Sequence, residues 1–417
     1  MKKTAIAALL ALVCAANLSA QTFPSKWKLT KATKSAFETL WEADKTHIRA
    51  NECGEGYLDA PLCEGLRDGD VWTYHFPLKK ALKAGSYLEF DIMLGARQGS
   101  PKYFAVEYLD GGKWISADTV KCVGGSNEPA AVIQTLRFSK PVKKEALVRL
   151  RAIGDEACDG SRIGSTDAES HMKMMPYGYI AGYANYLGTG APKDTVKLGY
   201  LGNSFTFVNS GDFCLKELAW FEGHYLDMHV STYPGAYFRS HLGLTGSLDV
   251  ISEGGYDWFI LQDQSTQAAK YGRDKSVETK DFTRSISKVI RYFSPKTRIL
   301  FEQTWAFSKN NYNDFGSYEY FDSCSTAGAA ELAKVAEAVV SPIAQAFAVV
   351  RAEHPEYYGH LYSTDDHHPA AYGAYLKACC NYLEIFGTPF TSDKACFGLD
   401  PQICAYLRDV AQRVCLK

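Results

Sequence analysis

Near residue 194 the rhythm of the sequence changes, and that change constrains the fold more than any other feature. Downstream of it, short apolar runs alternate with longer helical stretches. Val196 to Leu201 is a short apolar run suited to a buried parallel strand, and His224 to Val230, Asp257 to Leu261 and Arg298 to Glu302 read as the second, third and fourth strands. Phe213 to Phe221, Thr279 to Tyr292, Ala327 to Ala352 and Ala370 to Phe386 read as helices. Alternating β and α elements of these lengths predict an α/β domain over residues 195–417, with a parallel sheet covered by helices on both faces. In such a sheet the working residues stand where strands reach their carboxyl ends.

Upstream, the period falls to about two. Val71 to Phe76, Tyr87 to Ile92 and Val148 to Arg151 carry alternating or β-rich composition. Tyr103 to Leu109, Asp110-Gly111-Gly112 and Lys113 to Ile115 spell a hairpin, since glycines supply the positive φ that a tight turn demands. Short strands without a long amphipathic helix predict a separate all-β domain over residues 22–175, a sandwich of jelly-roll kind. Its tryptophans, Trp27, Trp41, Trp72 and Trp114, are expected in the core. The Gly-, Ser- and Pro-containing stretch that follows is expected to end in a linker at 176–194.

The first residues point to export. Lys2 and Lys3 precede an apolar run from Ala5 to Val13 and small residues ending at Ala20, the pattern of a signal peptide over residues 1–20. The chain is therefore expected in the periplasm or outside the cell; Cys14 offers a lipid-anchor alternative, against which stands Val13 where a small residue is needed. No later stretch is long and apolar enough to predict an integral membrane span. A formal net charge of −2 and the lack of a basic block argue against a nucleic-acid partner. In an oxidising compartment Cys53 with Cys63, and Cys396 with Cys404, are candidate disulfides. The adjacent Cys379 and Cys380 fall in an apolar helical pattern and read as core. No CxxC pair, dinucleotide fingerprint, phosphate loop or zinc-protease helix occurs, so neither a cofactor nor a metal is expected.

Two segments carry chemistry. Gly199-Tyr200-Leu201-Gly202-Asn203-Ser204 places a serine in a turn directly after the first strand of the α/β domain. A hydroxyl is a poor nucleophile at neutral pH without a base. The base candidate lies in Thr364-Asp365-Asp366-His367-His368-Pro369, where a D-x-x-H spacing puts a carboxylate and an imidazole on one tight loop before a helix. Alone, a serine after a strand is more often a cap, and paired histidines are more often a solvated surface or, now and then, a metal site.

Together, Gly202-Asn203-Ser204 and Asp365-x-x-His368-Pro369 resemble the first and last blocks of the SGNH, or GDSL-like, hydrolase superfamily, in its carbohydrate-esterase branch, over roughly residues 195 to 390. The resemblance implies a flavodoxin-like fold with Ser204 as nucleophile, His368 as general base and acid, and Asp365 as its orienter. It further implies an oxyanion hole from the N–H groups of Ser204 and Gly235. Where the family carries Gly-x-Asn-Asp, this chain has Gln262-Asp263-Gln264-Ser265, so Gln264, or else Gln262, is the side-chain candidate for that hole. Gln303 and Trp305 after the fourth strand, with Tyr233, Tyr237 and Phe205, are candidate substrate contacts. The expected reaction is hydrolysis of O-acetyl or other short acyl esters on an oligo- or polysaccharide. A lipase acting on other esters and a non-catalytic glycan-binding surface protein remain open alternatives.

Overall fold

In a computed structural model, residues 22–23, 41–43, 49–53, 60–78, 80–96, 99–123, 130–163, 171–175, 183–208, 211–308 and 312–416 are described. The signal-peptide stretch, Cys14 and Trp27 lie outside them. Two compact units result, Gln21–Gly190 and a second whose described part runs from Ala191. No described helix is long and apolar enough to cross a membrane.

The first unit is the expected all-β domain, built from two antiparallel sheets of seven and five strands. In the five-stranded sheet, strand Val71–Pro77 pairs with Glu145–Ala157 so that Trp72 lies opposite Leu150, Tyr74 opposite Val148 and Phe76 opposite Ala146. All six are buried, because side chains two apart share a face and this face turns inward. Tyr74 meets Phe90 of the other sheet at 5.6 Å between ring centroids, and Tyr108 meets Phe138 at 5.3 Å edge-on, so the two sheets pack face to face as a sandwich. The predicted hairpin forms from Pro101–Asp110 and Lys113–Lys121, with Gly111 at φ 57° and Gly112 at φ 82°. Positive φ at both central residues matches the twist of the flanking strands.

Three expectations for this unit need correction. Residues 176–194 are not simply a linker, because strand Tyr183–Gly188 within them pairs with Ser86–Ala96. Trp114 is not in the core; it is half-buried under the guanidinium of Arg149, 4.0 Å from its ring centroid. Cys53 and Cys63 sit on paired strands, but Cys53 is in register with Ala60 and Cys63 with Ala50. A three-residue offset separates their backbones by roughly 10 Å along the strands, beyond the reach of a disulfide.

The second unit carries a five-stranded parallel sheet. Its strands are, in chain order, Asp194–Gly202, His224–Thr232, Trp258–Leu261, Arg298–Glu302 and Val339–Ser341. They lie in spatial order second, first, third, fourth, fifth, the flavodoxin-like arrangement. On one face Leu201, Phe259, Leu261, Ile299 and Phe301 form a core with Ile286 and Ile290 of helix Thr279–Phe293 and with Leu332 of helix Tyr318–Ala336. Helix Ala371–Phe386 packs on the other face, where it brings Lys377 to Glu302; Cys379 and Cys380 are fully buried in it, as expected. Cys396 and Cys404 are both thiols, the Sγ of Cys404 facing the Cys396 carbonyl at 3.7 Å.

The helix expected over Ala327 to Ala352 is instead two helices, Tyr318–Ala336 and Ile343–Glu353, with the fifth strand between them. Glu337 adopts a left-handed φ of 50°, and Pro342 has no N–H to continue a helical ladder. Both punctuations sit inside a run of alanine and valine that reads as continuous helix from propensity alone.

Candidate active site

The first strand ends at Gly202, and the chain turns at once into the short helix Ser204–Phe207. Only glycine fits at 202, because a Cβ there would collide with Thr206 Oγ1 and press within 3.1 Å of Gln262 Oε1. Asn203 caps the helix: its side-chain oxygen accepts from the Phe205 N–H at 3.0 Å. Its amide nitrogen donates to the carbonyls of Ala236 and Asp263, at 2.9 and 3.1 Å, tying this turn to the loops after the second and third strands. Ser204 thereby stands at the carboxyl edge of the sheet.

Loop 364–370 reaches the same edge. His368 Nε2 lies 2.8 Å from Ser204 Oγ, and His368 Nδ1 lies 2.6 Å from Asp365 Oδ2. The other Asp365 oxygen accepts from the backbone N–H groups of His367 and His368, at 3.1 and 3.0 Å. The structure therefore brings Ser204, His368 and Asp365 into one relay. Burial raises the Asp365 pKa, but the hydrogen bonds from the His368 ring and from the two N–H groups outweigh it, leaving the carboxyl below its ordinary value. Burial lowers the His368 pKa, Asp365 raises it in part and neighbouring His367 lowers it again; the net is below an ordinary imidazole. That shift favours the neutral ring, the form that can accept a proton from Ser204 Oγ. Asp365, His367 and His368 also offer ligand atoms within 4.8 Å of one another. Both nitrogens of His368 are engaged, so a cation there would take the base from Ser204.

The candidate oxyanion donors separate clearly. Among the described residues the N–H groups of Ser204 and Gly235 have no protein acceptor, and Gly235 is exposed in a turn at φ 68°. Gln264 is half-buried; its oxygen accepts from the Thr266 N–H and hydroxyl at 3.0 and 2.8 Å, and its amide nitrogen donates to Ser265 Oγ at 3.1 Å. That bond uses one of the two hydrogens on the amide nitrogen. Gln262 does not fill the role expected of it. It is buried, accepts from Asn203 N–H at 2.9 Å and Thr206 Oγ1 at 3.1 Å, and donates to the Asp263 carbonyl, so it braces the turn that carries Ser204.

The expected sugar contacts are mostly interior. Trp305 is buried, stacked on Phe205 at 4.8 Å and on Phe347 at 4.6 Å, and its Nε1 donates to the His367 carbonyl at 3.1 Å. It supports the histidine loop and has no face to offer a ligand. Gln303 is likewise buried, donating to Thr326 Oγ1 at 2.8 Å. Phe205 is buried with its ring 5.3 Å from that of His368. Strand-end position predicts the working edge, but the long aromatic side chains fold back under it. Tyr233 remains half-buried at the rim beside Gly235, and Tyr237, also half-buried, starts the short helix Phe238–His241 with Arg239 5.8 Å from its ring.

Two features of the site escaped the sequence reading. Asp263 is buried and accepts from the N–H groups of Phe238 and Gln264, at 3.0 and 2.8 Å, and from the Thr279 hydroxyl. Burial outweighs these bonds, and its carboxyl is pushed up to about 6. Beneath Ser204, Lys377 and Glu302 form an ion pair at 3.0 Å with both side chains buried. The signals were an acid two residues past an apolar strand and a lysine inside a largely apolar helix.

No family model and no curated protein matches the chain. Solved structures resemble it at low identity. A protein of the DUF4886 family from Bacteroides uniformis is 17% identical over 53% of this chain and 95% of its own, with a TM-score of 0.44. A peptidoglycan O-acetylesterase is 10% identical over 87% of this chain and 89% of its own, at a TM-score of 0.38. A family two carbohydrate esterase from Cellvibrio japonicus is 12% identical over 88% and 98%, at 0.30. Within this chain, the strand order gives the second unit a flavodoxin-like parallel sheet, with Ser204 in the turn at the carboxyl end of its first strand.

Proposed function

We propose that the protein is an exported serine esterase that removes acetyl or other short acyl groups from a carbohydrate. The observation that carries this reading is the continuous relay from Ser204 Oγ through His368 to Asp365, at 2.8 and 2.6 Å. In this scheme His368 takes the serine proton as the hydroxyl attacks the ester carbonyl. The N–H groups of Ser204 and Gly235 receive the oxyanion, and His368 then protonates the departing sugar hydroxyl. Water, deprotonated by the same ring, releases the acid from the acyl-enzyme. The half-exposed Asp365 and His368 and the rim position of Tyr233 favour a large polar substrate lying across the edge over a long acyl chain held in a deep channel.

The test compares wild type with Ser204→Ala for acetate release from 4-nitrophenyl acetate and from acetylated plant and mucin glycans. Serine-dependent release, fastest on a glycan, is expected. Folded wild type that releases acetate from none of them would refute the proposal.

A further inference from the structure

The groups beneath the nucleophile are more polar than a core needs. Lys377 Nζ lies 3.0 Å from Glu302 Oε2 and donates to the Phe205 carbonyl at 3.1 Å and to Thr206 Oγ1 at 3.4 Å. Glu302 in turn accepts from the Tyr200 hydroxyl and from Asn381 Nδ2, the latter at 2.6 Å, and Asn381 Oδ1 accepts from Ser341 Oγ at 2.7 Å. All of these side chains are buried. Removing two charges from water is costly, and a well-packed apolar pair is often as stable or more so. Stability alone is a weak reason for this arrangement.

Its placement suggests another. Phe205 and Thr206 directly follow the nucleophile, and Thr206 Oγ1 also meets Gln262 Oε1, which holds Asn203 N–H. Lys377 lies about two turns into helix Ala371–Phe386, whose first residue comes just after His368-Pro369-Ala370. One rigid helix therefore carries the base on the loop at its amino end and grips the nucleophile's turn from its interior. Glu302, at the end of the fourth strand, fixes the lysine head against the sheet. Resting on the esterase reading above, we infer that Lys377 and Glu302 are positioning residues: by clamping the Phe205 carbonyl and Thr206 to the helix that bears the His368 loop, they set the Ser204 to His368 separation on which proton transfer depends.

The test uses the full chain. Lys377→Met alone strands the Glu302 carboxylate in the interior and is expected to lower both stability and activity. The informative variant is Lys377→Met with Glu302→Gln, which removes both charges together. It should melt cooperatively, yet lose about 10²-fold in kcat on 4-nitrophenyl acetate, the scale of a 1 Å misplacement at a reacting centre. Labelling of Ser204 by a fluorophosphonate should slow to the same extent. KM should hold within about twofold, because ground-state binding is untouched. The acidic limb of the pH profile should also stay in place, since the His368–Asp365 contact is intact.

A double variant with kcat within about threefold of wild type, or with a raised KM and unchanged kcat, would overturn the clamp and leave the pair a structural feature. If the double variant does not fold, Thr206→Val decides, because it removes the shared hydroxyl without burying a charge. A fall of about tenfold in kcat is expected there, and an unchanged kcat would overturn the inference. Wild type that neither hydrolyses the ester nor takes the label would instead defeat the esterase reading itself, and the clamp with it.

Discussion

Asp263→Asn should stabilise the protein at neutral pH while leaving its stability in acid almost unchanged. The buried Asp263 carboxyl is pushed from 3.8 to about 6. A raised folded-state pKa means that the protonated form is the one folding favours. The associated stability is fully present below pH 3.8, where Asp263 is protonated in both states, and is lost as pH rises through about 6. A rise from 3.8 to about 6 corresponds to about 3 kcal/mol. Asparagine has the same shape. Its oxygen can accept from the N–H groups of Phe238 and Gln264, and its amide can donate to the Thr279 hydroxyl, so the bracing of the two loops survives without the charge. The advantage of Asn over Asp should therefore grow by about 3 kcal/mol between pH 3.5 and pH 8, or roughly 6 to 12 °C in melting temperature for a domain of this size. Paired thermal melts across that range measure it directly. An Asp-to-Asn difference that stays constant with pH would refute the assignment of a strained buried carboxylate. Asp263→Ala is the contrasting control, since it orphans two buried N–H groups and a hydroxyl and should destabilise at every pH.

Because the His368 pKa is held below an ordinary imidazole, kcat/KM on 4-nitrophenyl acetate should rise with pH through a midpoint below 6.5 and stay flat above it; a midpoint above 7 would contradict the burial that lowers it. Gln264→Ala should cost about 10²- to 10³-fold in kcat with little change in KM if its amide turns to the oxyanion, whereas a loss under threefold would leave that hole to the backbone N–H groups. Trp305→Phe removes the hydrogen bond to the His367 carbonyl and part of the stack between Phe205 and Phe347; it should destabilise by about 1 to 3 kcal/mol with KM for an acetylated glycan unchanged, and a selective rise in KM would restore Trp305 as a sugar contact.

Most of the second unit's framework was legible in its sequence because its information is local. Four of the five parallel strands are segments of strand length with apolar or alternating composition, and a serine after the first of them with D-x-x-H near the end of the domain carries its own chemistry. The fifth strand, Val339–Ser341, and the break between the flanking helices were not legible. A three-residue strand has too little period of its own and exists because Phe301 and Glu302 offer it hydrogen-bonding partners. Side-chain direction was equally hidden at the fourth strand's end, where Gln303 and Trp305 occupy the expected edge in the chain yet lie buried. Gln262 and Gln264 are two residues apart and chemically identical, but one is committed to Asn203 and Thr206 while the other lies half-buried by Ser265 and Thr266.

The sequence by itself determined that an all-β unit precedes an α/β unit with a parallel sheet, since period and element length are local, and its resemblance to a known family singled out Ser204, His368 and Asp365 as candidates. Tertiary structure alone decided what those residues rest upon. Ser204 and His368 are far apart in the chain and meet at 2.8 Å because the sheet order and one helix bring both turns to a common edge. The supports beneath them, Gln262, Asp263, Trp305 and the Lys377–Glu302 pair, acquire their roles only when folding removes water and leaves each polar group to find a partner across the chain.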